Sequence, residues 1–356
     1  MMNPDKQEMN AIVRTVPIDR AIPNGLDVND FVVLMREYEK GGDYADICDS
    51  LGDRSRASAD HAMRQGHLMT ATTFYLNAVA AYRVGQYTII PDTDKKLGMY
   101  RKLIDCYSEA AKLYTPEIER IEVPYKNSKM AGWLRMPQNT AGKVPVVISI
   151  GGADGWREEH HNYSSYYAER GLAYLMIDGP GQGETRLFNK MYMELNNEEA
   201  LNEIVEYVSI DNRFGKIGMV GYSFGGYLVA RTAGISKKLD ACVINGGSYF
   251  PKEIIKFIPH FSKVFSALSN KKGTELEKFI DNMTMEGHAS NITCSLLVNH
   301  GIPDPLFSAE GVEKIYNEAR STDKTLKLWK DGNHCVTNHA SETITMFADF
   351  FMDRLK

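Results

Sequence analysis

The sequence predicts an α/β protein, with a mainly parallel sheet of about eight strands covered on both faces and preceded by a helical domain. Three observations carry this expectation. The first third of the chain places its apolar residues at helical spacing. After Thr115-Pro116 the pattern changes to short apolar or alternating runs, and from Val144 onward these alternate with helical stretches. Two runs, Val144–Ile150 and Ser295–Val298, are almost continuously apolar, as strands buried on both faces are. The expected division is residues 1–115 (helical) and 116–356 (α/β).

Taken in order, Asn29 or Asp30 is expected to cap a helix carrying Phe31, Leu34, Met35 and Tyr38, which Gly41-Gly42 ends. A second helical stretch runs from about Ser55 to Gln86 with a break at Gly66. A third starts near Thr93 and lines up Leu97, Tyr100, Leu103, Ile104, Tyr107 and Ala111. The predicted strands are Ile118–Tyr125, Met130–Arg135, Val144–Ile150, Leu172–Ile177, Lys216–Val220, Leu239–Asn245, Thr293–Asn299 and Thr325–Trp329. The first two lie close together, as an antiparallel pair would. Residues 248–290 separate two strands by far more than a usual connection, and an insertion there is a candidate lid.

Composition narrows the function. Lys and Arg total 41, Asp and Glu 46, for a net charge of −5, with 43% hydrophobic and 24% charged residues. Those values exclude a disordered or collagen-like chain and leave no basic excess for neutralising nucleic-acid phosphates. The five cysteines, Cys48, Cys106, Cys242, Cys294 and Cys335, show neither zinc-ligand nor redox spacing, which fits reduced thiols. The polar N-terminus lacks an apolar signal core, and no apolar run is long enough to span a bilayer. A cytoplasmic protein, neither exported nor membrane-anchored, is expected.

The strongest chemical signal is Gly221-Tyr222-Ser223-Phe224-Gly225-Gly226, between the strand Lys216–Val220 and a helical stretch. G-x-S-x-G in that setting is a nucleophile elbow, the mark of an α/β-hydrolase fold. Ser223 is the expected nucleophile, left at a strand tip and a helix N-terminus. A serine hydroxyl needs a base to take its proton. Asp304 and His334 each follow a predicted strand, and the order Ser223, Asp304, His334 is that of α/β-hydrolases. All three fall at C-terminal strand ends, where open parallel sheets bind their ligands. His300, His339, His288, Asp331 and Asp281 are the weaker rivals. The Phe224 N–H is one expected oxyanion donor. The other is expected from Gly151-Gly152-Ala153-Asp154-Gly155-Trp156, with Ala153 first and Gly152 second.

Two stretches imitate other chemistry. The segment Asp178-Gly179-Pro180-Gly181-Gln182-Gly183-Glu184 lacks G-x-G-x-x-G spacing and reads as a rigid turn bordering the site. Glu158, Glu159, His160 and His161 are neighbours rather than helix-spaced ligands, so no metal is expected.

With these pieces in hand, the chain resembles the α/β-hydrolases that carry an N-terminal helical domain. That group includes dihydroxypseudooxynicotine hydrolase, the FrsA-like proteins and polyketide-shortening hydrolases. The Gly151-Gly152 turn followed by Glu158-Glu159, the 178–184 loop, the elbow, Asp304 and Asp331-Gly332-Asn333-His334 carry the likeness, together with the Ala- and Tyr-rich region Thr70–Tyr87. Residues Ala153-Asp154-Gly155-Trp156 depart from the usual ones after the double glycine.

The resemblance implies a triad of Ser223, Asp304 and His334, no cofactor, and a homodimer formed through the helical domain. It also implies a small-molecule acyl or β-diketone substrate, cleaved by ester hydrolysis or by retro-Claisen C–C cleavage. Tyr75, Tyr82, Asp154, Trp156, Phe257 and Phe261 are candidate substrate-pocket residues. The competing expectations are a cyclase or acyltransferase that passes the acyl group to a carbon or alcohol nucleophile, and a non-catalytic binding protein on the same scaffold.

Overall fold

The computed structural model describes residues 4–140 and 142–356. Residues 1–3, part of the polar N-terminus noted above, lie outside it, as do residue 141 and the side chains of residues 4–7 and Phe257. The chain divides into two compact units, residues 1–119 and 120–356.

The first unit is helical: α1 (Pro4–Val13), α2 (Ile18–Ala21), α3 (Val28–Glu39), α4 (Tyr44–Arg64), α5 (Leu68–Gly85) and α6 (Asp94–Lys112). The cap of α3 is Asp27, not Asn29 or Asp30. Its carboxylate accepts the N–H groups of both those residues, and Asp30 is free to pair with Arg54 instead. Helix α4 begins at Tyr44, capped by Asp43, eleven residues before the expected start at Ser55. Gly52 lies inside this helix. A Cβ there would sit 2.3 Å from a Tyr82 ring carbon, so the glycine lets α5 approach closely. Gly66, at φ +73°, does separate α4 from α5, and Thr93 caps α6 through the Lys96 N–H. The two N-terminal helices were not anticipated. Ile12, Val13 and Ala21 join Leu26, Leu34, Cys48, Leu51, Ala81 and Val84 in one core cluster.

The second unit is built on eight strands: β1 (Glu119–Tyr125), β2 (Ser128–Arg135), β3 (Val144–Ile150), β4 (Ala173–Asp178), β5 (Phe214–Tyr222), β6 (Ala241–Asn245), β7 (Ser295–Gly301) and β8 (Lys324–Trp329). Their spatial order is β1-β2-β4-β3-β5-β6-β7-β8. Strand β2 runs antiparallel to β4, and every pairing from β4 to β8 is parallel. Strands β3 to β7 are almost wholly buried, which explains their unbroken apolar runs. Chain order reverses between β3 and β5, the switch point where such sheets open a crevice at their carboxyl ends.

Between these strands lie α7 (Ser164–Ala168), α8 (Gly183–Leu187), α9 (Asn197–Ser209), α10 (Phe224–Ala233) and α14 (Ala309–Glu318), and α15 (Ala340–Leu355) follows the last strand. The insertion after β6 folds as α11 (Glu253–Phe257), α12 (Phe261–Ser269) and α13 (Gly273–Asp281). Packing also brings Cys242 and Cys294 together, Sγ to Sγ 3.7 Å, a proximity that spacing along the chain does not reveal. Among the described residues, no helix is long and apolar enough to cross a membrane.

Candidate active site

Strand β5 delivers Ser223 into a turn with φ 57° and ψ −127°, a conformation a non-glycine residue holds only when its surroundings impose it. The surroundings do so on both sides. A Cβ on Gly221 would lie 2.1 Å from the Gly225 carbonyl oxygen, and one on Gly225 would lie 2.4 Å from that of Gly151. Only glycines permit this crossing of β5, α10 and the end of β3. The Ser223 N–H donates to the Asn245 carbonyl at the tip of β6 (2.8 Å). The serine stays partly exposed at the start of α10, where unpaired backbone N–H groups and the helix dipole favour negative charge.

His334 and Asp304 meet Ser223. Oγ of Ser223 lies 2.7 Å from Nε2 of His334, and Nδ1 of His334 lies 2.7 Å from Oδ2 of Asp304. A carboxylate only accepts, so Nδ1 carries the proton and Nε2 is left to accept from the serine hydroxyl. Asp304 is held in turn. Its Oδ1 accepts the N–H groups of Leu306 (2.7 Å) and Phe307 (3.2 Å), and its side chain is 0% exposed.

Burial alone would raise the Asp304 carboxyl, but His334 and these N–H donors outweigh it and hold the group below its ordinary range. For His334 burial alone would lower the imidazole, and the Asp304 carboxylate overrides this and raises it.

The histidine loop owes its shape to residues that the motifs do not mark. Cys335 and Val336 both adopt left-handed backbone, at φ 57° and 55°. The amide of Asn245 donates to the Cys335 carbonyl (3.0 Å), Asn299 donates to Asn245 (2.9 Å), and the Trp329 indole donates to Asn299 (2.7 Å). Asn245 and Asn299 are register partners at the ends of β6 and β7, so the tips of three strands are tied to the loop. The Cys335 thiol lies 3.5 Å from Nε2 of His334.

The rival groups go elsewhere. His300 is buried beneath the site with Nδ1 3.9 Å from Oδ2 of Asp304, and burial lowers its pKa, which keeps it neutral. His339 pairs with Asp331 on an exposed turn (3.1 Å). Asp281 ends α13 in contact with Lys252.

The loop after β3 runs beside the nucleophile. A Cβ on Gly152 would meet Ser223 Cβ at 3.2 Å and Oγ at 3.6 Å. Phe224 supplies the first N–H of α10, and its buried ring packs edge-on against Phe265 of α12 (5.2 Å), tying the insertion to the elbow. The 178–184 segment does border the site. Nε2 of Gln182 donates to the carbonyls of Gly151 (2.7 Å) and Gly152 (3.0 Å). Arg157, buried, pairs with Glu158 (2.9 Å), Asp178 (3.1 Å) and Glu184 (2.6 Å), while Trp133 donates to Glu158 and Ser149 meets His160. These acids and the histidine are taken up in buried ion pairs and hydrogen bonds. Among the described residues, no group of three or more His, Cys, Asp or Glu side chains is arranged to hold a metal ion.

The candidate pocket residues lie in different settings. Tyr75 and Tyr82 are buried within the helical unit, with hydroxyls donating to Asp60 (2.8 Å) and Asp53 (2.7 Å). Trp156 is buried as well, and Phe261 is buried with its ring stacked on His260. Asp154 is partly exposed in the loop after β3. Phe257 belongs to the side chains outside the description.

Comparison with known proteins bears on this architecture. The chain is 30% identical to the hydrolyase poxO of Penicillium oxalicum over 206 residues, 54% of this chain but only about half (48%) of that protein's length. It is 26% identical over 344 residues to 2,6-dihydropseudooxynicotine hydrolase of Paenarthrobacter nicotinovorans, covering 94% of this chain and 91% of the relative. The crystal structure of 2,6-dihydroxy-pseudo-oxynicotine hydrolase superposes with a TM-score of 0.86 at 24% identity, covering 95% and 96% of the two chains, which shows a shared fold. The prolyl oligopeptidase family model matches residues 159–356, and the model for esterase FrsA-like proteins matches residues 54–253. The chain belongs to the FrsA-like family of α/β-hydrolases.

Proposed function

We propose that this chain is a serine hydrolase that works through an acyl-enzyme on a small to medium ketone or ester. The observation that carries this is the unbroken relay from Ser223 Oγ to His334 to Asp304, with both links at 2.7 Å. His334 Nε2 takes the hydroxyl proton as Oγ adds to the substrate carbonyl. The resulting oxyanion is received by the N–H groups of Phe224 and Ala153. Collapse breaks the bond to the leaving group and leaves the acyl group on Ser223. His334 returns its proton to the leaving atom, the oxygen of an alcohol or the carbon of an enolate. Water, deprotonated by the same imidazole, then releases a carboxylic acid and restores the serine.

Retro-Claisen cleavage of a β-diketone is the form of this chemistry we favour. The family resemblance supports it, as does the near full-length similarity to a hydrolase named for a pseudooxynicotine substrate. An enolate leaving group needs no further catalyst, because the β-carbonyl delocalises its charge.

A product screen tests the proposal. Purified protein is offered β-diketones, aryl esters and thioesters, and the products are read by mass spectrometry. A carboxylic acid plus a ketone from a β-diketone supports the favoured form, and acid plus alcohol alone restricts the enzyme to esters. Full turnover by Ser223→Ala would overturn the acyl-serine route.

A further inference from the structure

We propose that Gln182 is the positioning residue for the second oxyanion donor: its carboxamide grips the loop after β3 so that the Ala153 N–H faces an acyl carbonyl on Ser223. The inference rests on the acyl-serine reading above and names what holds that site in shape.

Gln182 is buried, 2% exposed, and all its hydrogen-bonding capacity toward the loop is defined. Nε2 donates to the carbonyls of Gly151 (2.7 Å) and Gly152 (3.0 Å), and Oε1 accepts the Gly179 N–H (2.9 Å). Each partner has a fixed polarity, so the amide has one satisfied orientation. Turned over, it would set an oxygen against two carbonyl oxygens.

The consequence follows from peptide planarity. The Gly152 carbonyl and the Ala153 N–H belong to one rigid unit and point in opposite directions. Holding the oxygen toward Gln182 therefore aims the N–H away from it. The nucleophile lies against this same residue, since a Cβ on Gly152 would meet Ser223 Cβ at 3.2 Å and Oγ at 3.6 Å.

Gly152 imposes little preference of its own on the peptide that joins it to Ala153, which leaves only the Ala153 φ to resist a flip. Gln182 supplies that preference. Its own loop is anchored in turn. Asp178 accepts the N–H groups of Arg157 and Glu184 (3.0 Å each), and Thr185 donates to the Asp178 carbonyl (2.8 Å). The two loops are thus tied together beyond both sides of the clamp.

Two variants test this. Gln182→Met keeps length and apolar volume but loses every bond to the carbonyls. Loss of an oxyanion donor typically costs about 10²–10³ in kcat, and a misaimed donor should cost about 30–100-fold. For an activated aryl ester the expected result is that fall in kcat, with KM changed less than threefold. Affinity for a trifluoromethyl ketone, measured by direct binding, should fall by the same factor, because its hemiketal oxygen occupies the same hole.

Gln182→Glu should donate to one of the two carbonyls while protonated and repel both once ionised. Its activity relative to the parent should therefore decline with rising pH, whereas the Gln182→Met deficit should be independent of pH. A purely structural role would lower the melting temperature without this pH signature.

Ser223→Ala is run alongside. If it retains turnover, the acyl-serine reading falls and this inference with it. If it is inactive while Gln182→Met keeps kcat and ketone affinity within twofold, the positioning role alone is overturned. Should Gln182→Met fail to fold, a pH-independent ratio for Gln182→Glu overturns it equally.

Discussion

Replacing Asp304 by asparagine disables the site through a proton, not through lost packing. The volume is conserved, and the direction of the change can be worked out from the hydrogen bonds. Oδ1 of Asp304 is pinned by two backbone donors, the N–H groups of Leu306 and Phe307. An asparagine must keep its oxygen at that position, because an NH₂ group there would face two donors. Its Nδ2 then points at His334 Nδ1, 2.7 Å away in the parent, and donates to it. Nδ1 becomes the acceptor, the imidazole proton moves to Nε2, and Nε2 now presents a hydrogen to Ser223 Oγ. The base is no longer a base. The same tautomer inversion in a serine protease triad costs about 10⁴ in kcat, and a loss of that order is expected here. The assay is steady-state hydrolysis of an activated aryl ester, with thermal unfolding run in parallel to show that the fold is intact. A fall of less than about tenfold in a folded variant would refute the assignment, since oxyanion binding without a base leaves far less catalysis.

Four further outcomes are expected. Because Asp304 raises His334, and only the neutral imidazole can act as base, the acid limb of kcat/KM should lie above the ordinary histidine value of about 6.5 and move downward in Asp304→Asn. The depressed carboxyl of Asp304 contributes stability that is present above about pH 4 and lost as pH falls through its folded value, so Asp304→Asn should flatten the loss of stability on acidification below that point, as denaturant titrations at several pH values would show. Gly152→Ala places a methyl 3.6 Å from Ser223 Oγ and should lower kcat about 10–100-fold while leaving the melting temperature nearly unchanged, whereas parental activity would show that the loop does not frame the nucleophile. Gly52→Ala pits a helix-propensity gain of about 1 kcal/mol against a Cβ 2.3–2.7 Å from the Tyr82 ring. Net destabilisation of about 1–3 kcal/mol by denaturant titration is expected, and a gain in stability would contradict the packing described.

What the sequence reveals about this molecule is what local chemistry encodes. Strand β3 coincides with the expected Val144–Ile150, and the other strands differ from their expected ends by a few residues, because apolar runs bounded by polar turns mark buried parallel strands. Ser223 was legible for a similar reason, since the elbow's glycines are demanded by contacts within six residues and the adjoining loop. The misreadings have a shared cause in distance along the chain. Gly52 carries no mark of its packing role in sequence, because the Tyr82 ring that requires it lies thirty residues away. Helix α4 begins eleven residues before the expected Ser55. Asn245, Asn299 and Trp329 look unremarkable in sequence, yet together they brace the His334 loop across three strand ends. Gln182 was read only as part of a rigid turn, because its partners Gly151 and Gly152 precede it by some thirty residues. The aromatic residues Tyr75 and Tyr82 drew attention for their type, and only the bonds to Asp60 and Asp53 reveal their packing role.

The central claim is that Ser223 is made nucleophilic by its neighbours, and trapping the serine tests it most directly. Folded protein is treated with a fluorophosphonate, digested, and mapped by mass spectrometry. The account predicts a single phosphonyl adduct on Ser223, formed at least a hundredfold more slowly in His334→Ala and absent in Ser223→Ala. An unlabelled Ser223 under conditions that modify a control serine hydrolase, or an adduct on another residue that abolishes turnover, would contradict it.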